Sequence, residues 1–117
     1  QYGDGTSLRD FTYVGDIVKA LLLIIDKPRG FQIFNIGRGQ PIKLNDFIQT
    51  IERVVGKKAN IKIEPMPLGD VLLTHADVTK LSEHIHYQPS VSLEEGIQNM
   101  YDWYQETYLP WVSRTRF

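Results

Sequence analysis

No cysteine occurs among the 117 residues, so neither a disulfide framework nor a thiolate metal site can be built from this sequence. Long apolar runs are missing too. The longest, Ala20 to Ile25, falls far short of the roughly 18 residues that suggest a membrane-spanning helix, and no membrane partner is expected. Neither sign of charge is in excess, with 13 Lys+Arg against 14 Asp+Glu for a net charge of −1. The charges are interspersed, and no basic block exists to neutralise a phosphate backbone, so nucleic acid is not an expected partner. The opening segment QYGDGTSLRDF lacks the apolar core of a signal peptide, and a cytoplasmic location is the expectation. No G-x-S-x-G is present, and no serine stands beside a convincing base and orienter. His75, His84 and His86 make no metal site, because the last two, two residues apart, do not share a helix face.

What is present is 42% hydrophobic residues, enough for the core of one domain spanning residues 1–117. LRDFTYV alternates as a short strand does, and Gly15-Asp16 offers an N-cap for the helix IVKALLLIID. That helix is apolar nearly all round, which implies cover on more than one side, from protein outside this chain or by self-association. Phe31 to Ile36 and Ile61 to Glu64 read as strands. Leu44, Phe47, Ile48, Ile51, Val54 and Val55 form one continuous helical face that Gly56 terminates. Ala76 to His84 reads as a short helix. Ser92-Leu93-Glu94-Glu95 is a capping box opening a helix with Leu93, Ile97, Met100, Tyr101, Tyr104 and Tyr108 on its apolar face. Residues 110–117 carry no periodicity and read as an irregular tail. The class is mixed α/β, with short strands and about four helices.

The stretch Phe34-Asn35-Ile36-Gly37-Arg38-Gly39-Gln40-Pro41 places Gly-x-Gly between a strand and a helix, as dinucleotide-binding folds do. The third glycine of that fingerprint is missing, its place taken by Ile42, and Pro41 and Ile42 separate the loop from the helix N-terminus. The turn therefore reads as a turn, with no cofactor-binding residue assigned. Two polar elements stand out instead. Arg9, beside Asp10, carries a planar fork suited to phosphate, and Asp70, in the loop Pro65 to Asp70, carries a carboxylate suited to ribose hydroxyls. Read alone, each is better explained as an ordinary surface residue, Arg9 in a salt bridge with Asp10 or a neighbour and Asp70 as a turn or cap.

Taken together, YGDGTSLRDFTYVGDIVKALLL, FNIGRGQPIKLNDFIQTIERVVGKKANI, PMPLGDVLLTHADVTKL and YQPSVSLEEGIQNMYDWY resemble the C-terminal, substrate-binding part of an extended short-chain dehydrogenase. The resemblance is to the NAD-dependent nucleotide-sugar epimerases and dehydratases, and PMPLGDVLLTHAD is most similar to the UDP-glucuronate 4-epimerases. It implies that Arg9 contacts the substrate pyrophosphate, that Asp70 hydrogen-bonds the nucleotide ribose and that Leu44 packs against the base of a UDP-sugar. A 4,6-dehydratase or decarboxylase remains the alternative within the family, and a freestanding, non-catalytic binding or interaction domain the alternative outside it. Three departures accompany the resemblance: Gly15 replaces an acid of the YVDDIV motif, Pro67 replaces an arginine found in some relatives, and Lys43 replaces a Ser or Thr cap. The last implies a second helix frayed at its start by about 1 kcal/mol. The family's catalytic Y-x-x-x-K is missing, since no tyrosine here has lysine four residues on. The implication is that NAD belongs to the Rossmann domain of an intact parent enzyme, that this chain holds no catalytic residue, and that it is not competent alone.

Overall fold

The computed structural model describes residues 1–27 and 30–115. Its sheet is minimal: β1 (Leu8–Arg9) pairs antiparallel with β2 (Ile42–Lys43), Leu8 opposite Lys43 and Arg9 opposite Ile42. A further bridge joins Leu8 in parallel to Leu73. Thus the backbone around Arg9 lies between the approach to the second helix and the segment after the Pro65 to Asp70 loop.

Around this ribbon stand α1 (Val14–Ile25), α2 (Leu44–Val55), α3 (Thr79–Ile85) and α4 (Leu93–Trp103). Helix α4 continues through a π-helical turn, Tyr104–Tyr108, into α5 (Leu109–Thr115). The irregular tail expected from Pro110 is therefore corrected to helix as far as Thr115. Pro110 follows closely on the π-helical turn, a change in the helix ladder of the kind found where a proline withholds its backbone N–H; Arg116 and Phe117 lie outside the described residues.

Helix α2 follows its sequence pattern from end to end. It stops at Gly56, whose φ of 72° is the left-handed cap that glycine adopts without strain. Its start departs from expectation. Lys43 provides no side-chain cap, yet the Leu44 amide donates to the Ser7 carbonyl at 2.9 Å and the Asn45 amide to the Gly5 carbonyl at 3.0 Å. The expected fraying is offset by backbone acceptors from a segment remote in sequence. Gly5 is required there, since a Cβ on it would lie 1.8 Å from Asn45 Oδ1.

The strands expected at Phe31 to Ile36 and Ile61 to Glu64 are not formed: among the described residues neither segment joins a sheet, apart from an isolated bridge between Glu64 and Tyr2. A strand needs a partner as well as a pattern. Ser92 accepts from the Glu95 amide at 3.1 Å, as its capping box requires.

Ala20, Leu81, Ile85 and Tyr87 form the main buried cluster, with Phe34 and Ile36 packed against it. This covers only one side of α1: Val14, Val18, Leu21, Leu22 and Ile25 are exposed. The apolar patch foreseen from sequence is present. The cap foreseen at Gly15-Asp16 is not, because α1 begins at Val14 with Tyr13 before it. Asp16 is instead buried in the first turn, its carboxylate accepting from the Ser90 amide (3.2 Å), the Ser90 hydroxyl (3.1 Å) and the Val91 amide (3.1 Å). Three donors satisfy a carboxylate that burial would otherwise disfavour.

Candidate functional site

Arg9 and Asp70 are brought together. Arg9 Nη2 donates to Asp70 Oδ1 at 3.0 Å across 61 residues of sequence, and Nη1 donates to the Leu8 carbonyl at 3.0 Å. The partner is thus Asp70 rather than Asp10. Asp70 Oδ1 also accepts from the Val71 amide at 2.8 Å, which orients the carboxylate within its loop. Asp70 Oδ2 and the outer donors of the guanidinium have no described partner. Both side chains remain partly exposed, at 24% and 35%, so solvent screening keeps the pair's own contribution to stability small.

Leu44 joins this region through the backbone. Its amide bonds to Ser7, two residues before Arg9, and it follows β2 directly, so α2 starts beside the strand that carries Arg9. Its side chain is half-buried. None of the three residues lines the cavities of about 580, 310 and 250 Å³ found elsewhere. The Arg9–Asp70 pair sits on an open surface.

Asp10 organises the floor of this region, a role its place in the sequence did not reveal. Its Oδ2 accepts from the Gly39 amide at 2.9 Å and the Ala76 amide at 3.0 Å. Its own amide donates to Thr74 Oγ1. Asp10 Oδ1 is buried without a partner among the described residues. Thr12 Oγ1 accepts from the Arg38 amide at 3.0 Å, and His75 Nε2 lies 3.2 Å from the Gly39 carbonyl. Three segments, 10–12, 37–39 and 74–76, are thereby locked together behind Arg9. The two glycines of the turn serve different ends. Gly39 adopts a φ of 69°, whereas Gly37 admits close packing, since a Cβ there would meet Ala76 Cβ at 2.4 Å. Partners 29 and 66 residues away from Asp10 leave no local signal; only a short acceptor near a Gly-x-Gly turn hints at them.

Tyr87 closes the floor from below, its hydroxyl donating to the Gly37 carbonyl at 3.4 Å. Burial, then the nearby Asp16 and Asp10 carboxylates, push its pKa above the ordinary tyrosine value. Asp77 Oδ1 accepts from the Thr79 amide at the start of α3. Hydrogen bonds from Thr79 hold its pKa below the usual carboxylate range. No group of three or more His, Cys, Asp or Glu residues placed to hold a metal exists among the described residues. No described helix is long and apolar enough to cross a membrane.

A small α/β unit with helices around a short ribbon, and an Arg–Asp pair at its edge, corresponds to the C-terminal part of an extended short-chain dehydrogenase of the epimerase and dehydratase class. Residues 1–100 match the family model described as GDP-mannose 4,6 dehydratase, and the chain belongs to that family. Among similar proteins, a UDP-glucuronate 4-epimerase of Thermodesulfobacterium geofontis is 39% identical over 106 residues, 90% of this chain and 32% of that protein. The structure of MoeE5 in complex with UDP-glucuronic acid and NAD superposes with a TM-score of 0.84 at 33% identity, covering 91% of this chain and 36% of that one. UDP-glucuronic acid 4-epimerase from Bacillus cereus, in complex with UDP-glucuronic acid and NAD, gives a TM-score of 0.82 at 31% identity, covering 92% and 35%. The chain spans about a third of the length of the relatives it matches.

Proposed function

We propose that this chain is the nucleotide-sugar-binding portion of an NAD-dependent epimerase of the UDP-glucuronate 4-epimerase kind, and that it is not catalytically competent without the remainder of that enzyme. The pairing of Arg9 with Asp70 carries the proposal. A nucleoside diphosphate presents phosphate and ribose side by side, and here a guanidinium with donors to spare lies 3.0 Å from a carboxylate with a free oxygen. In this reading Arg9 donates to the pyrophosphate, Asp70 accepts from the ribose hydroxyls, and Leu44 packs against the uracil.

The Gly37–Gly39 turn does not suit a dinucleotide, because its Arg38 and Gly39 amides already donate to Thr12 and Asp10. NAD, which would accept and return hydride in the parent, therefore belongs to the part of that enzyme beyond this chain. The exposed apolar face of α1 fits a surface that this missing Rossmann domain covers.

The test is calorimetric titration of the intact parent enzyme with UDP-glucuronate, comparing Arg9→Ala and Asp70→Asn with the unchanged protein. Loss of a charge-assisted hydrogen bond of about 1.5–3 kcal/mol predicts a Kd weakened by about 10- to 100-fold for Arg9→Ala. An unchanged Kd in that variant would remove Arg9 from the site.

A further inference from the structure

Leu8, the first residue of β1, lies between β2 and the stretch that follows Asp70. Its amide donates to the Leu72 carbonyl at 2.8 Å and its carbonyl accepts from the Thr74 amide at 3.1 Å, the slanted pair of bonds that one residue makes in a parallel ladder. The next rung of such a ladder would run from the Asp10 amide to the Thr74 carbonyl and from the Ala76 amide to the Asp10 carbonyl. In this structure the Asp10 amide donates to Thr74 Oγ1 at 3.2 Å, and the Ala76 amide donates to Asp10 Oδ2 at 3.0 Å. Two side-chain oxygens stand in for two backbone carbonyls.

The exchange brings a third segment into the rung. A carboxylate oxygen can accept two hydrogen bonds, and Asp10 Oδ2 takes the Gly39 amide at 2.9 Å as well. Gly37 keeps that third segment close, because a Cβ there would meet Ala76 Cβ at 2.4 Å and Asp10 Oδ2 at 3.1 Å. The Gly-x-Gly turn is thereby tied to the ladder that carries the Arg9–Asp70 pair.

Arg9 stands between the two rungs, and Asp70 precedes the first acceptor, Leu72, by two residues. The register of the ladder therefore decides whether guanidinium and carboxylate meet. A slip of one residue displaces a strand by about 3.3 Å, as much as the 3.0 Å that separates Arg9 Nη2 from Asp70 Oδ1. Because β1 has only two residues, the second rung supplies a large share of the bonds that fix this register.

We propose that Asp10 is a positioning residue for nucleotide binding: its Oδ2, in the place of a strand carbonyl, holds residues 70–76 in the register that sets Asp70 beside Arg9. The inference rests on the reading of Arg9 and Asp70 as the pyrophosphate and ribose contacts, and Asp10 itself touches no ligand. A role in stability alone changes how much of the enzyme is folded. The positioning role changes the affinity of the enzyme that is folded.

The test is calorimetric titration of the intact parent enzyme with UDP, which carries the phosphates and the ribose without the sugar. Asp10→Ala should weaken Kd by about 3- to 10-fold at unchanged stoichiometry, half on a logarithmic scale of the loss expected for Arg9→Ala. In turnover of UDP-glucuronate the same variant should raise KM and leave kcat unchanged, since the reacting atoms lie elsewhere. Asp10→Asn keeps an oxygen for both amides and should hold Kd within about 2-fold of the unchanged enzyme. Gly37→Ala, which pushes on Ala76 from the opposite side, should weaken Kd as Asp10→Ala does, and carries the test where Asp10→Ala does not fold. In enzyme that already has Arg9→Ala and Asp70→Asn, Asp10→Ala should cost no more than about 2-fold, because the pair it aligns is gone. An equal loss with and without that pair would overturn the positioning role while leaving Arg9 and Asp70 in the site. So would a Kd unchanged in both Asp10→Ala and Gly37→Ala. An unchanged Kd in Arg9→Ala and in Asp70→Asn would instead remove the reading on which the inference rests.

Discussion

Replacing Asp10 by alanine should cost more stability than replacing it by asparagine, although asparagine also removes the charge. In Asp10→Ala the amides of Gly39 and Ala76 lose their shared acceptor. An unpaired buried amide costs about 1–3 kcal/mol, and partial burial places each near the low end, together about 2–3 kcal/mol. Removing the buried, unpartnered Oδ1 returns about 1 kcal/mol of desolvation, leaving a net loss of about 1.5 kcal/mol. Asp10→Asn keeps one oxygen for both amides and puts its nitrogen where Oδ1 was. It loses charge assistance only, about 1 kcal/mol or less. With a urea slope of about 1.5 kcal/mol/M, the alanine variant should lower the unfolding midpoint by about 1 M and the asparagine variant by about half that. Equal losses in the two variants would show that the carboxylate's charge, and not its bridging oxygen, holds the three segments together. No loss in either would show that the clamp contributes nothing.

Gly56→Ala should destabilise by about 1 kcal/mol, because φ at this position is 72° while no atom lies within 4 Å of a new Cβ. A urea midpoint equal to that of the parent would mean that the helix end refolds around alanine. Tyr87 holds its proton more tightly when folded than when unfolded, so its contribution is complete below about pH 10 and is lost as pH rises through its elevated folded pKa. Thermal unfolding above pH 9 should show a decline in stability that Tyr87→Phe flattens; parallel curves would exclude Tyr87 as the source. Hydrogen bonds from Lys58 and Ala59 lower the pKa of Glu52, so its small contribution should vanish as pH falls through its folded pKa, and Glu52→Gln should weaken the acid limb of the stability profile.

Helix α2 was legible almost to the residue because its apolar face and Gly56 are local signals. The Ser92 box that opens α4 was equally so. The apolar face read along α4 is only partly used, with Ile97 buried and Leu93 and Tyr101 half-buried, while Met100, Tyr104 and Tyr108 are exposed. The strands are the least legible, since Phe31 to Ile36 has the pattern but no ladder here, while Ile42–Lys43 has a ladder and almost no pattern. Of the site, Arg9 and Asp70 were named from family resemblance and chemical aptness; their meeting across 61 residues could not be read from either motif. Asp16 shows the limit most clearly: a helix-start carboxylate invites a capping role, yet its acceptors are used by Ser90 and Val91, more than seventy residues away.

The capping of α2 by the Gly5 and Ser7 carbonyls also has a bearing on time. Most of this helix can form from its own residues, but its first turn has no local acceptor and closes only after a segment about 40 residues upstream has docked. The amides of Leu44 and Asn45 therefore record that docking. In pulsed hydrogen exchange during refolding they should gain protection later than the amides in the middle of the helix, so that one helix carries two clocks, and the later one marks when β1, with Arg9, comes to rest.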